Sequence, residues 1–515
     1  MWRLFSRPSR RCRPARRAPV RFRRLVALLC SLATAFAPVL AANEDLPDIG
    51  SPADTILSRD MELQIGRSIY KSLRDTGKVI TDPEIQEYIQ DIGQKIAANA
   101  TDNGQRFRFF VVDDPAINAF ALPGGFIGIH SGLLMATATE SELAGVMAHE
   151  ISHVTQRHIS RAIYANQRAS ILTMAALLGA ILLGAATGSG EAIQGAVAAA
   201  QGAAAQQQIN FTRSNEYEAD RVGVGLMASA GFDPAGMANF FETLARQSGP
   251  LASQAPEFLR THPVTVNRIA EARERAAQFP HQDIADATGY RLARARLRVL
   301  TSNTPEAALS RFESDMNDPR HVADIGTQYG LALARLQTGD QAHALEDFAG
   351  LVDGHPGVIA FHTGLAMAEM ASGDEKAAFA TYERAMRLFP RNVPLTVRYA
   401  EALMQHGRAR EAHKVLLDLL NIVAPTPEQV RLIALAASAA GDTGDAHYYM
   451  AEYHLMGGDL SLAADELRVA LGIPGLDSVQ RARFSSRLTE IQQVLNRLQS
   501  EKRRAQAARN PELDS

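Results

Sequence analysis

The chain has 515 residues, 46% hydrophobic and 21% charged, with 53 basic against 56 acidic side chains; such a length implies two or more compact units, each with its own core. Ten arginines fall within residues 1–24, so removing that basic head leaves 43 basic against 56 acidic groups, about −13, a balance that excludes nucleic acid as a partner. Both cysteines, Cys12 and Cys30, lie in the same leading stretch, which excludes disulfides and thiolate chemistry from the remainder and leaves His, Asp and Glu as the available metal ligands.

The leader itself has a basic head, the apolar run "LVALLCSLATAFAPVL" and the small-residue end "VLAAN". That order predicts a secretory signal over 1–41, cut after Ala41, and export to a bacterial periplasm. Leu29 stands before Cys30 where a lipoprotein signal needs a small residue, so no lipid anchor is expected. From residue 43, "MELQIGRSIYKSL" and "PEIQEYIQDIGQKIAAN" place apolar residues at three- and four-residue steps and predict amphipathic helices. "RFRFFVVDD" then predicts a strand, and "GGFIGIHSG", introduced by the turn residues of "LPGG", a second one. Thr139 followed by Glu142 is a capping-box pattern, so "ATESELAGVMAHEISHVTQRH" opens as a helix.

Residues 171–205 are almost entirely Ala, Gly and Leu. The first block, 171–186, is marginal for a membrane span; a hairpin in the membrane, one covering the active site, and a peripheral contact with a membrane surface or client all remain open. Beyond residue 290 the text repeats. Gly339, Gly373, Gly407 and Gly441 recur every 34 residues, each followed after five positions by Ala344, Ala378, Ala412 or Ala446 and after nine by Phe348, Tyr382, Leu416 or Met450. Looser copies start at Asn303 and Gly458. This is the tetratricopeptide pattern, whose stacked helix pairs present a concave face to protein segments.

The chemistry is concentrated in "HEISH". His149 and His153 are four apart on the predicted helix, so both imidazoles project from one face and can share one metal ion, Zn2+. Glu150 follows directly and is placed to take a proton from activated water. A catalytic zinc needs a third protein ligand. His158 stands five positions after His153, which rotates it off the ligand face of a continuous helix, so it is expected to be an ordinary helix-end residue. In "RSNEYEADRVG", Glu216 and Asp220 are one turn apart and face the same way, whereas Glu218 points elsewhere. Glu216 is the better candidate for the third ligand, with Asp220 placed to orient a ligand histidine if it is; a solvated acidic helix shows the same spacing.

"NAFALPGGFIGIHSGLL", "HEISH", "NEYEADRVG" and "THPVTVNRI" occur in the order found in the zinc metalloprotease superfamily of the CAAX prenyl proteases and HtpX membrane proteases. With a signal before and repeats after, the chain resembles the periplasmic, β-barrel assembly-enhancing branch. The resemblance implies zinc bound by His149, His153 and Glu216, Glu150 as general base, and Asp220 behind the ligands. It also places His262 and Arg268 near the active site, able to stabilise an oxyanion; on chemical grounds His262 can instead close the fourth zinc position at rest. The implied fold is mainly α: a gluzincin-like α+β metalloprotease domain with a small sheet over 42–285, an α-solenoid of tetratricopeptide repeats over 290–500, and a disordered tail over 501–515. The implied work is cleavage, and chaperoning, of unfolded or misassembled outer-membrane proteins beside the β-barrel assembly machinery, with "NAFALPGG" at an edge strand that receives substrate. The alternative reading is a repeat-based chaperone or adaptor with a largely silent metal site.

Overall fold

The computed structural model describes residues 57–100, 104–165, 213–247, 256–280, 284–318, 324–421 and 424–509. The expected leader over 1–41, the hairpin over 171–205 with its membrane contact at 171–186, and residues 510–515 of the expected tail lie outside them. Helix α1 (Arg59–Asp75) starts at Ser58, whose hydroxyl accepts from Met61 N at 3.3 Å, and buries Ile69, Tyr70 and Leu73. Helix α2 (Pro83–Ala97) starts at Asp82, which accepts from Ile85 N at 3.2 Å, with Pro83 already at helical φ in the first turn. Its Ile85, Ile89, Ile92 and Ile96 form one apolar stripe in the main core.

That stripe packs on a three-stranded sheet of order β1-β3-β2. Strand β1 (Arg108–Val112) runs parallel to β3 (Phe126–His130), and β2 (Ala119–Leu122) pairs antiparallel to β3. The β2–β3 turn passes through Gly124 and Gly125 at φ 78° and 83°, a left-handed pair that only glycine adopts cheaply. "NAFAL" therefore lies at an edge of the sheet, as the sequence predicts.

After the short α3 (Ser131–Ala136) comes α4 (Glu140–Thr155), buried at every position from Ser141 to His153. Thr139 caps it, accepting from Glu142 N at 3.2 Å. The Glu142 carboxylate, however, accepts from Ala138 N at 2.6 Å rather than from the cap's own N–H, so the capping box closes one residue early. A helix with no wet face needs partners all round. The sheet and α2 lie on one side, and α6 (Arg213–Ser229) and α7 (Ala235–Gln247) on the other. Glycines let α4 and α7 cross closely: a Cβ on Gly145 would stand 2.8 Å from Met237 Cα, and one on Gly236 2.4 Å from Ser141 O. Helices α8 (Glu257–Thr261) and α9 (Val266–Ala276) complete this unit.

Helix α10 (Thr288–Leu300) belongs to two cores at once: Tyr290, Ala293 and Leu297 join the first, Leu292, Ala295 and Val299 the next. Ten helices follow in pairs, from α11 (Pro305–Asn317) to α20 (Leu460–Gly472). Gly339, Gly373, Gly407 and Gly441 all adopt positive φ, 73–87°. At each, the next amide reaches back to the carbonyl five residues earlier, as Asp340 N does to Arg335 O at 2.9 Å, the bond that terminates a helix in this left-handed manner. Ala344, Ala378 and Ala412 are fully buried where the helices meet. Residues 501–509, expected in a disordered tail, instead continue the last helix, α21 (Ser478–Arg509). Among the described residues no helix is long and apolar enough to cross a membrane.

The repeats are pinned to α2 by charge. Asp82 receives Arg296 Nε and Nη2, both at 2.7 Å, and Arg398 Nη2 at 2.6 Å; Glu84 receives Arg398 Nη2 at 2.9 Å. Arg398 stands on α16 (Val393–Gln405) and Arg296 on α10. The two arginines balance the two carboxylates within one largely dry cluster.

Candidate metal centre

Four side chains from three places in the chain converge on one point. His149 and His153 come from successive turns of α4, Glu216 from the first turn of α6, and His262 from the residue that ends α8. One ligand atom of each lies within 4.8 Å of the others, and all four residues are buried. His149 Nε2 stands 3.0 Å from His153 Nε2, 3.2 Å from His262 Nδ1 and 3.5 Å from Glu216 Oε2. His153 Nε2 is 3.5 Å from Glu216 Oε1, and His262 Nδ1 is 3.2 Å from both Glu216 oxygens. Four donors around a tetrahedral zinc at bonds of about 2 Å stand about 3.3 Å apart, so the cage fits that ion.

The electrostatics favour a cation in the same place. Burial drives His153 well below the ordinary imidazole range, helped by its histidine neighbours, so the ring is neutral and its lone pair is available. Burial opposes ionisation of Glu216, but His262 and His149 outweigh it and hold the carboxyl well below the usual range. His149 feels burial in the depressing direction, yet Asp220 and Glu216 push it up to about 9. The carboxylates beside these imidazoles supply the negative charge that favours a divalent cation there.

Behind the cage, Asp220 Oδ1 lies 3.0 Å from His149 Nδ1, on the opposite side of the ring from the point of convergence. Arg268, in the first turn of α9, grips Asp220 with Nε at 2.7 Å and Nη2 at 2.8 Å, and its Nη1 reaches Pro263 O at 2.8 Å and Glu216 Oε2 at 2.9 Å. The resemblance implies that Arg268 lies near the active site, able to stabilise an oxyanion; it does lie beside the cage, with its donors directed at Asp220, Glu216 and Pro263. Its guanidinium also lies 5.1 Å from the centre of the Phe241 ring. His262 is stacked on Phe258, ring centres 4.8 Å apart, and its amide donates to Phe258 O at 2.7 Å. Glu150 is buried beside the cage, Oε1 3.6 Å from His262 Nε2 and without a hydrogen-bond partner among the described residues.

His158 is placed otherwise than the sequence predicts. His158 is wholly buried, its Nδ1 2.8 Å from His153 Nδ1 and its Nε2 3.2 Å from Glu218 Oε2. The helical wheel that turned His158 away assumed that the helix continues. Helix α4 instead ends at Thr155, and Arg157 takes a left-handed turn at φ 53° before α5 (His158–Ala165) begins. Neither Gln156 nor Arg157 is a residue type that announces such a break.

Residues 83–276 match the model of peptidase family M48, and residues 369–436 a tetratricopeptide-repeat model. The beta-barrel assembly-enhancing protease of Escherichia coli (strain K12) is 33% identical over 467 residues, 90% of this chain and 94% of that one. A Vibrio cholerae relative is 43% identical over 313 residues, 60% of this chain and 64% of its own. The mitochondrial metalloendopeptidase OMA1 of Saccharomyces cerevisiae is 31% identical over 230 residues, 41% of this chain and 63% of its own.

Proposed function

The chain belongs to the beta-barrel assembly-enhancing proteases of peptidase family M48, and on that premise we propose a periplasmic zinc-dependent endopeptidase, and chaperone, for unfolded or misassembled outer-membrane proteins, working beside the β-barrel assembly machinery. The observation that carries this reading is the buried cage of His149, His153, Glu216 and His262 with Glu150 at its rim. His149, His153 and Glu216 would hold the zinc. The ion would supply Lewis acidity toward a scissile carbonyl and acidify the attacking water.

The protein's own residues do the rest. Glu150, whose Oε1 has no hydrogen-bond partner among the described residues, accepts the proton of the attacking water and delivers it to the leaving amine. Asp220 fixes His149 in the tautomer that turns Nε2 to the ion, and Arg268 keeps Asp220 and Glu216 ionised and in place. His262, 3.2 Å from both Glu216 oxygens, would be the fourth group of the cage, and access to the site would then require it to move off Glu216. Edge strand β2 offers backbone groups to an extended polypeptide, which suits a substrate chosen for being unfolded rather than for its sequence. The repeat array raises the local concentration of weakly held clients.

Glu150→Gln is expected to retain zinc and fold while abolishing cleavage of an unfolded protein; proteolysis at the wild-type rate in a clean preparation would refute the assignment. A second reading, a chaperone or adaptor with a largely silent zinc, is favoured by the His262 contact alone. Rescue of a deletion strain by the Glu150→Gln copy would establish it, and failure of that copy would remove it.

A further inference from the structure

The relay beyond His153 has no part in the mechanism above. We propose that His158 is a positioning residue for the metal, fixing the tautomer and ring plane of His153 from the side opposite the cage, and that Glu218 and Arg161 anchor His158 in turn. This rests on the zinc reading of the cage.

The direction of every hydrogen bond follows from one requirement. For His153 to offer a lone pair at Nε2, its neutral ring must carry the proton on Nδ1. That N–H faces His158 Nδ1 at 2.8 Å, so His158 accepts there and carries its own proton on Nε2. Nε2–H is then the donor to Glu218 Oε2 at 3.2 Å. Arg161 Nη1 donates to the same oxygen at 2.9 Å, holding the carboxylate ionised and in register. Ligand histidines commonly pass their second N–H to a carboxylate directly; Asp220 Oδ1 stands 3.0 Å from His149 Nδ1, whereas for His153 a second imidazole stands between.

The backbone is strained to achieve this. A non-glycine residue with left-handed φ is disfavoured, and Arg157 adopts one at the single step that folds His158 back under His153. The turn is held by Arg157 Nη2, which donates to Leu57 O at 2.9 Å and to Glu62 Oε1 at 3.0 Å. Ser160, on the next turn, bonds the same Glu62 carboxylate. Glu62 lies on α1 and is itself buried. Leu57, Glu62 and Ser160 thus hold the conformation that places His158 beneath His153.

The test uses the full-length protein and zinc itself, with affinity read by chelator competition and ligand geometry by the visible spectrum of the cobalt(II)-substituted protein. His158→Leu, which fills the space without an acceptor, is expected to weaken zinc about 10–100-fold and to alter the cobalt spectrum. His158→Asn, whose Oδ1 restores an acceptor near the Nδ1 position, is expected to stay within about threefold of wild type. Where His158→Leu does not fold when stripped of metal, His158→Gln serves, since it is polar but carries its acceptor one bond further out. Zinc affinity in His158→Leu or His158→Gln equal to that of His158→Asn overturns the proposal. A wild-type chain that binds no zinc would instead defeat the metal-centre reading itself, a distinguishable result.

Discussion

Arg268→Leu removes a guanidinium whose side chain is only 1% exposed and whose charged partners, Asp220 and Glu216, are 5% and 3% exposed. Both carboxylates would then lose a fixed cation in a place water does not reach. Breaking a buried ion pair by deleting one member costs about 3–5 kcal/mol, and loss of the Phe241 contact adds about 0.5–2 kcal/mol. About 4 kcal/mol is a large share of the 5–15 kcal/mol that holds a domain together, and corresponds to a fall of about 10 °C in the unfolding of the protease unit. Scanning calorimetry with and without zinc measures it, and the loss is expected to be greater without the metal. A cycle with Asp220→Asn isolates the pair, with a coupling of at least 2 kcal/mol expected from the bidentate geometry. Burial alone would raise the Asp220 carboxyl, and Arg268 with His149 reverses that. A lowered carboxyl contributes stability that is present above its ordinary range and lost as pH falls through the folded value. In Arg268→Leu the acid-unfolding midpoint should therefore move to higher pH. A loss below about 1 kcal/mol, or strict additivity with Asp220→Asn, would refute the account of Arg268 as the clamp of the ligand cage.

Other perturbations follow the same logic. Burial, with Asp91 and Glu84 nearby, pushes Glu87 up to about 7 where it accepts from Asn392, the residue that caps α16, at 3.1 Å; a raised carboxyl stabilises the fold while protonated, so its contribution, at most about 3 kcal/mol, is lost as pH rises from the ordinary carboxylate range to 7. Glu87→Gln should flatten that decline between pH 5 and 8 in thermal melts, and an unchanged slope would contradict the assignment. Arg398→Met leaves Asp82 and Glu84 to Arg296 alone and should cost about 2–3 kcal/mol, separating the melting of the repeats from that of the protease unit; a single unaltered transition would show the cluster to be dispensable. Gly145→Ala drives a methyl toward Met237 Cα at 2.8 Å and should cost about 1–3 kcal/mol, measured by denaturant unfolding.

The repeats were legible because a period of 34 residues fixes both a glycine conformation and a buried alanine, and both are observed at the predicted places. The cage was legible in its halves: helical spacing pairs His149 with His153, and Glu216 with Asp220, but only the fold brings α6 beneath α4. Glu218 does point away from Glu216 and Asp220, toward His158, whereas His158 was hidden by a helix expected to run straight through Gln156 and Arg157. The left-handed step there is imposed by Glu62 and Leu57, about a hundred residues upstream, a distance at which no periodicity speaks. The twin arginines on Asp82 were equally silent, because a helix-capping aspartate followed by proline reads complete without a partner.

Helix α4 is enclosed on every side from Ser141 to His153, so its amides cannot meet solvent unless the surrounding core comes apart. In hydrogen–deuterium exchange those amides belong among the slowest of the chain, with opening free energies near that of global unfolding. Two of the four cage donors are thus bolted to the least yielding part of the molecule.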